Sequence, residues 1–184
     1  EVPVDDIFEW GMLGYFAGGE VQENIPVITG RLSNPGAILH KHLGAAAASS
    51  GGVELYHMVG ITPEAPTLEA AFGGRRPMQS LRYGAAERRA TYEALNSNGT
   101  SRDVDYVMLG CPHAALEQLE EAARLLDGRK LSPPPALWLF PSRVLTLQAD
   151  AKGLTKAITD AGALVMTDTC SAIGHTLPKG TKVV

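Results

Sequence analysis

The sequence predicts an α/β protein, with a parallel sheet and flanking helices in its C-terminal half and a smaller α/β lobe in its N-terminal half. Three observations predict it. Beyond residue 104, short apolar runs alternate with helix-period segments, the pattern of parallel strands joined by crossover helices. Two of those runs, Asp105 to Leu109 and Ala163 to Thr167, end in turns that carry the chain's two cysteines, Cys111 and Cys170. The first half repeats the alternation on a smaller scale, with two helix patterns separated by short β-branched stretches.

Asp5 to Ala17 reads as the first helix, because Ile7, Phe8, Met12, Leu13 and Phe16 fall near helical spacing and Gly18-Gly19 supplies a stop. Ile25 to Thr29 is a short strand with Pro26 at its edge or start. Ser33-Asn34-Pro35 opens a second helix that runs to about Ser49, and Gly51-Gly52 breaks it. Val53 to Val59 is the next strand, followed by the loop Gly60 to Thr67. In that loop, Thr62 and Glu64 read either as a helix-start device or as substrate contacts. Gly73 to Pro77 is a turn carrying Arg75 and Arg76, and Ala85 to Leu95 is a polar helix. The Asn96 to Ser101 run marks a boundary, giving lobes of residues 1–101 and 102–184.

The second lobe reads as strand 105–109, helix 114–126, a Pro133-Pro-Pro135 linker, strand 136–140, helices 142–149 and 152–161, and strand 163–167. Helix 114–126 places Leu116, Leu119, Ala123 and Leu126 on one face and Glu117, Glu120, Glu121 and Arg124 on the other, so it docks by the first and is solvated on the second.

The chain's 184 residues suffice to bury a core, and 45% hydrophobic with 20% charged residues is ordinary for a globular protein. A net charge of −4 with scattered Lys and Arg argues against a nucleic-acid surface. No apolar segment is long enough to span a membrane, and the first residues lack the features of a signal peptide. Two cysteines do not make a disulfide framework, which points to a reducing, cytoplasmic setting.

In a parallel sheet the C-terminal ends of the strands share one edge, so Gly110 to His113, Phe140 to Arg143 and Asp168 to Cys170 are expected to converge. Cys111 and Cys170 read as ligands of an iron-sulfur cluster completed by a third ligand, or as inert packed thiols. Arg143, beside Ser142, reads as a fork for a carboxylate or phosphate, or as a surface ion pair. His113 is an acid, a ligand or a capping residue. His40, His42, His57 and His175 have no partners in sequence and read as structural.

Four blocks in order, Leu13-Gly-Tyr-Phe-Ala-Gly18, Val59-Gly-Ile-Thr-Pro-Glu-Ala65, Gly110-Cys-Pro-His-Ala-Ala-Leu-Glu-Gln-Leu119 and Asp168-Thr-Cys170, together resemble the large-subunit domain of aconitase X. The resemblance covers nearly the whole chain and implies an aconitase-like fold. It also implies a dehydratase acting on a small hydroxy acid, 5-phosphomevalonate or cis-3-hydroxy-L-proline, with a small swivelling domain or subunit as partner.

It further implies a cluster held by three cysteines, of which Cys111 and Cys170 match the second and third. The Cys-Thr-Pro-Tyr-like stretch that carries the first, and a serine-lysine segment after the Asp-Thr-Cys block, have no counterpart here, so the chain is expected to be an internal piece of a longer polypeptide. Thr62, Ser142 and Arg143 are the substrate contacts the resemblance implies, with Glu64 in the same loop as Thr62; the catalytic residues are unassigned, with Glu64, as base, and His113 as candidates. Two rivals stand beside this reading. One is a non-catalytic α/β binding module with structural cysteines, and the other is a zinc hydrolase built on Cys111, His113 and Cys170.

Overall fold

Two helices crossing at glycines organise the first part of the chain. The structure, a computed structural model, describes residues 4–96, 103–170 and 177–183. It divides into two compact units, 1–98 and 99–184. Most of the expected boundary run, residues 97–101, lies outside the described residues, as does His175.

In the first unit, Asp6 caps helix α1 (Ile7–Val21) by accepting the Glu9 amide at 2.8 Å. The expected stop at Gly18-Gly19 does not occur, and the helix continues to Val21. Two of its glycines, Gly14 and Gly18, are a contact surface instead. A Cβ on Gly14 would fall 2.3 Å from the Leu43 carbonyl oxygen of helix α2 (Gly36–Gly51), and one on Gly18 would fall 2.3 Å from the Ala47 carbonyl oxygen. Only glycine permits that approach, and the close packing it allows outweighs its weak helix propensity. Asn34 starts α2 by accepting the Gly36 amide at 3.1 Å, and Gly52, in the left-handed region at φ 75°, ends it.

Strands β1 (Val27–Ile28) and β2 (His57–Met58) pair in parallel, Val27 with His57 and Ile28 with Met58. The longer strands expected at 25–29 and 53–59 shrink to these pairs, because a strand persists only where a neighbour runs beside it to take its backbone hydrogen bonds. Trp10, Leu13, Leu43 and Met58 form the core of this unit. A short helix that the sequence reading missed, α3 (Leu68–Phe72), is capped by Thr67, so Thr62 and Glu64 are not its start. Helix α4 (Ala85–Leu95) stands as expected, and Arg88 on it grips Glu9 of α1, with Nε to Oε2 at 2.8 Å. Burial, then the Glu9 carboxylate, push the nearby Tyr83 phenol up to about 12, against the Arg88 charge.

The second unit is a three-stranded parallel sheet in the order β3 (Tyr106–Ala114), β4 (Ala136–Pro141), β5 (Leu164–Val165). Helices α5 (Leu116–Leu126), α6 (Arg143–Ala151) and α7 (Leu154–Asp160) connect the strands. The strand-helix alternation is the expected one. The bounds differ: β3 runs five residues past Leu109, β5 shortens to two, and the helices shift by two residues or fewer at most ends.

Helix α5 docks by Leu119, Ala123 and Leu126, which join Leu139, Ala149 and Ile158 in one core. On its outer side Glu117, Glu121 and Arg124 are exposed, and Glu120 pairs with Lys152 at 2.5 Å. Among the described residues, no helix is long and apolar enough to cross a membrane.

Candidate functional site

The end of β3 is displaced from its neighbour. Tyr106 to Leu109 pair in register with Ala136 to Leu139, and pairing resumes only at Ala114 with Pro141. Residues 110–113 therefore stand opposite the single residue Phe140, a bulge that lifts Cys111 out of the ladder. Gly110 begins it at φ 145°, and its backbone lies so near Phe140 that no side chain fits. The Cys111 thiol is consequently exposed, which overturns its reading as a packed core thiol.

At the end of β4, Ser142 stands at the N-cap of α6 without a side-chain capping bond. The open helix amide is met from the turn after β5 instead: Arg143 N–H donates to Asp168 Oδ1 at 3.0 Å, and Arg143 Nε–H donates to Oδ2 at 2.6 Å. The carboxylate that the Arg143 fork grips is thus one of the chain's own. That bond to the Arg143 side chain, opposed by desolvation and helped by the Arg143 amide, holds the Asp168 carboxyl below the usual carboxylate range. Asp168 adopts φ 55°, a left-handed conformation uncommon outside glycine.

After β5, Cys170 is half-buried and its thiol is free. Its turn is also tied to β3, since His113 Nε2 lies 3.1 Å from the Thr169 carbonyl oxygen. A carbonyl only accepts, so Nε2 carries the proton. The three strand ends therefore converge as the sequence predicted, through His113 with Thr169 and Arg143 with Asp168. Among the described residues, no three His, Cys, Asp or Glu side chains gather closely enough to hold a metal ion, so the zinc arrangement of Cys111, His113 and Cys170 is not formed.

The first unit holds Thr62 and Glu64 in its own cluster. Thr62 Oγ1 accepts the Met58 amide at 3.1 Å and donates to the Met58 carbonyl at 3.3 Å, which closes the turn after β2. Glu64 Oε1 meets His57 Nδ1 at 3.1 Å. Its own backbone amide, then His57 and Thr62, hold the Glu64 carboxyl below its ordinary value. That direction is opposite to the one that would make it a strong base at neutral pH.

His57 is the partner that sequence reasoning passed over. The signal available was its place on the strand leading into the Thr-Pro-Glu loop. His40 bonds the Tyr56 hydroxyl through Nδ1 at 2.9 Å, and burial with the adjacent Lys41 charge lowers the His42 pKa.

The second unit is thus a parallel α/β sheet that carries two free thiols near its strand ends. Comparison with known proteins gives the family. The model of the aconitase X second domain matches residues 1–93, and that of the third domain matches residues 104–184. The chain belongs to the aconitase X family.

The chain is 40% identical over 168 residues to a cis-3-hydroxy-L-proline dehydratase of Pseudomonas aeruginosa, covering 91% of this chain and 29% of the relative. It is 35% identical over 165 residues to the phosphomevalonate dehydratase large subunit of Methanocaldococcus jannaschii, covering 89% and 39%. A crystal structure of Thermococcus kodakaraensis aconitase X in its holo-form superposes with a TM-score of 0.78 at 28% identity, over 92% of this chain and 42% of that one. The fold is aconitase-like. The chain spans well under half the length of each of these relatives.

Proposed function

We propose that this chain is part of an iron-sulfur-dependent hydro-lyase that removes water from a small hydroxy acid, such as 5-phosphomevalonate or cis-3-hydroxy-L-proline. The observation that carries the proposal is the pair of free thiols, Cys111 in the bulge near the end of β3 and Cys170 on the turn after β5, these strands being the two neighbours of β4. The dehydratases among its relatives support the reaction class.

Open, unpaired thiols suit iron, and Cys111 and Cys170 would hold the cluster with a third ligand from outside the chain's two cysteines. When bound, the cluster supplies Lewis acidity. The chain's own groups bind and position. Ser142 and the outward edge of the Arg143 guanidinium, a side chain 75% exposed, bind the substrate's anionic group, and Thr62 shapes the loop that carries Glu64. Glu64 remains ionised and is a weak proton acceptor, while His113 holds the Cys170 turn through its Nε2–H.

In this reading residues 1–101 form one lobe and 102–184 the cysteine-bearing lobe, supported by the division into two units and by the extents of the two family models. A small swivelling domain or subunit completes the enzyme, and free thiols suit a cytoplasmic setting.

Anaerobic purification of the complete enzyme, followed by iron and sulfide analysis, tests the proposal. Stoichiometric iron and sulfide are expected, with turnover lost in both Cys111→Ala and Cys170→Ala. A colourless, iron-free and fully active dehydratase would sink it, and tight binding of a hydroxy acid without turnover would favour a binding module.

A further inference from the structure

The Asp168-Thr169-Cys170 turn is gripped from two sides. Arg143, at the end of β4, takes the Asp168 carboxylate with its backbone amide at 3.0 Å and its Nε–H at 2.6 Å. His113, at the end of β3, donates to the Thr169 carbonyl at 3.1 Å. His113 lies two residues after Cys111, so its bond ties the bulge that carries Cys111 to the Cys170 turn, while Arg143 ties that turn, through Asp168 two residues before Cys170, to the start of α6. The Asp168 backbone sits at φ 55°, a conformation that costs free energy unless its surroundings hold it.

We propose that Arg143 and His113 are positioning residues that fix the Cys170 turn before any iron is bound, and so set how firmly the site retains iron. The proposal rests on the cluster reading of Cys111 and Cys170 given above. A thiol on a loose turn must lose its freedom when it binds, whereas one on a turn already held does not. Partners behind metal ligands commonly change affinity by about 10–100-fold. The guanidinium grips by a planar fork, and a lysine at the same position supplies only a point charge.

The complete enzyme and its variants Arg143→Gln, Arg143→Lys, Asp168→Asn, His113→Phe and His113→Gln serve for the test. Two quantities are read: iron lost to a chelator from the loaded enzyme, and, in iron-free enzyme, alkylation of Cys170 relative to Cys111 by iodoacetamide, located by peptide mapping. Neither reading involves substrate, so the proposed contact of Arg143 with the substrate does not enter.

Iron retention is expected to fall about 10–100-fold in Arg143→Gln and Asp168→Asn. Arg143→Lys should lie between these and the parent, and His113→Gln, which keeps an N–H donor, should recover part of what His113→Phe loses. The Cys170-to-Cys111 labelling ratio should shift in the same variants, and Arg143→Gln with Asp168→Asn together should lose no more than either alone. Variants with the parent's unfolding midpoint, iron retention and labelling ratio overturn the proposal, as does strict additivity of the pair. A parent enzyme that takes up no iron overturns the cluster reading instead, and the labelling ratio alone then decides whether the turn is held.

Discussion

Gly110 lies against Phe140 so closely that an added Cβ would stand 2.5 Å from the Phe140 Cβ and 2.8 Å from its carbonyl oxygen. Phe140 is buried and cannot yield, and the Gly110 φ of 145° is one that side-chain-bearing residues rarely adopt. Gly110→Ala should therefore destabilise the enzyme by about 1–3 kcal/mol and shift the reactivity of the adjacent Cys111. Chemical denaturation with thiol titration checks both, and a neutral result would show that the bulge relaxes freely.

The α1–α2 crossing gives a contrast within one helix. Gly14→Ala and Gly18→Ala place a methyl group 2.3 Å from carbonyl oxygens of α2 and should each cost about 1–3 kcal/mol. Gly11 and Gly19 have nothing within 4 Å of an added Cβ, so Gly11→Ala and Gly19→Ala should gain up to about 1 kcal/mol from helix propensity. Equal shifts in unfolding midpoint for all four would contradict the close crossing.

Removing the Cys111 side chain should separate ligand from core residue. The thiol is exposed, so Cys111→Ala should change the stability of iron-free enzyme by no more than about 0.5 kcal/mol. The same variant should lose its iron. Loss of stability with iron retained would favour structural cysteines.

Glu64 titrates with a sign set by its partners. Its folded-state pKa lies below the unfolded value, so its hydrogen bonds stabilise the protein at neutral pH and fade as pH falls through the folded-state value. Carboxyl titration followed by NMR should place its midpoint below that of a free glutamate, and His57→Gln should raise it. A midpoint unmoved by that change would remove His57 as a partner.

Leu119 is fully buried in the core under the three-stranded sheet. Leu119→Ala should cost about 2–5 kcal/mol, and guanidinium unfolding would measure it.

The elements best read from sequence were those whose period and composition acted together. Helix α4 and the buried face of α5 came out as expected because local spacing sets which residues share a helix face. Gly18-Gly19 misled for the opposite reason: a glycine pair is a stop in isolation, but Gly18 is a contact point beside another helix and Gly19 simply continues the helix. The strands around residues 27 and 57 were overextended because apolar runs do not reveal where a partner strand ends. Arg143 reads from sequence either as a fork for a ligand's anion or as a surface ion pair; the ion pair forms, and nothing local to Arg143 announced that Asp168, 25 residues away, would be its partner.

The sequence by itself determined the parallel α/β architecture of the second unit, the strand-end placement of Cys111 and Cys170, and, through four ordered blocks, the aconitase X resemblance. These follow from periodicity and from motifs that lie within a few residues of one another. Only the tertiary structure decided that β3 bulges to expose Cys111, that Asp168 caps α6, that His113 ties the Cys170 turn to β3, and that Glu64 pairs with His57. The first follows from a register shift between strands, the next two join groups brought together only when the strands align, and the last depends on how the chain turns after β2. Such relations belong to the packed backbone, because a side chain's partner in space is not written in its neighbours along the chain.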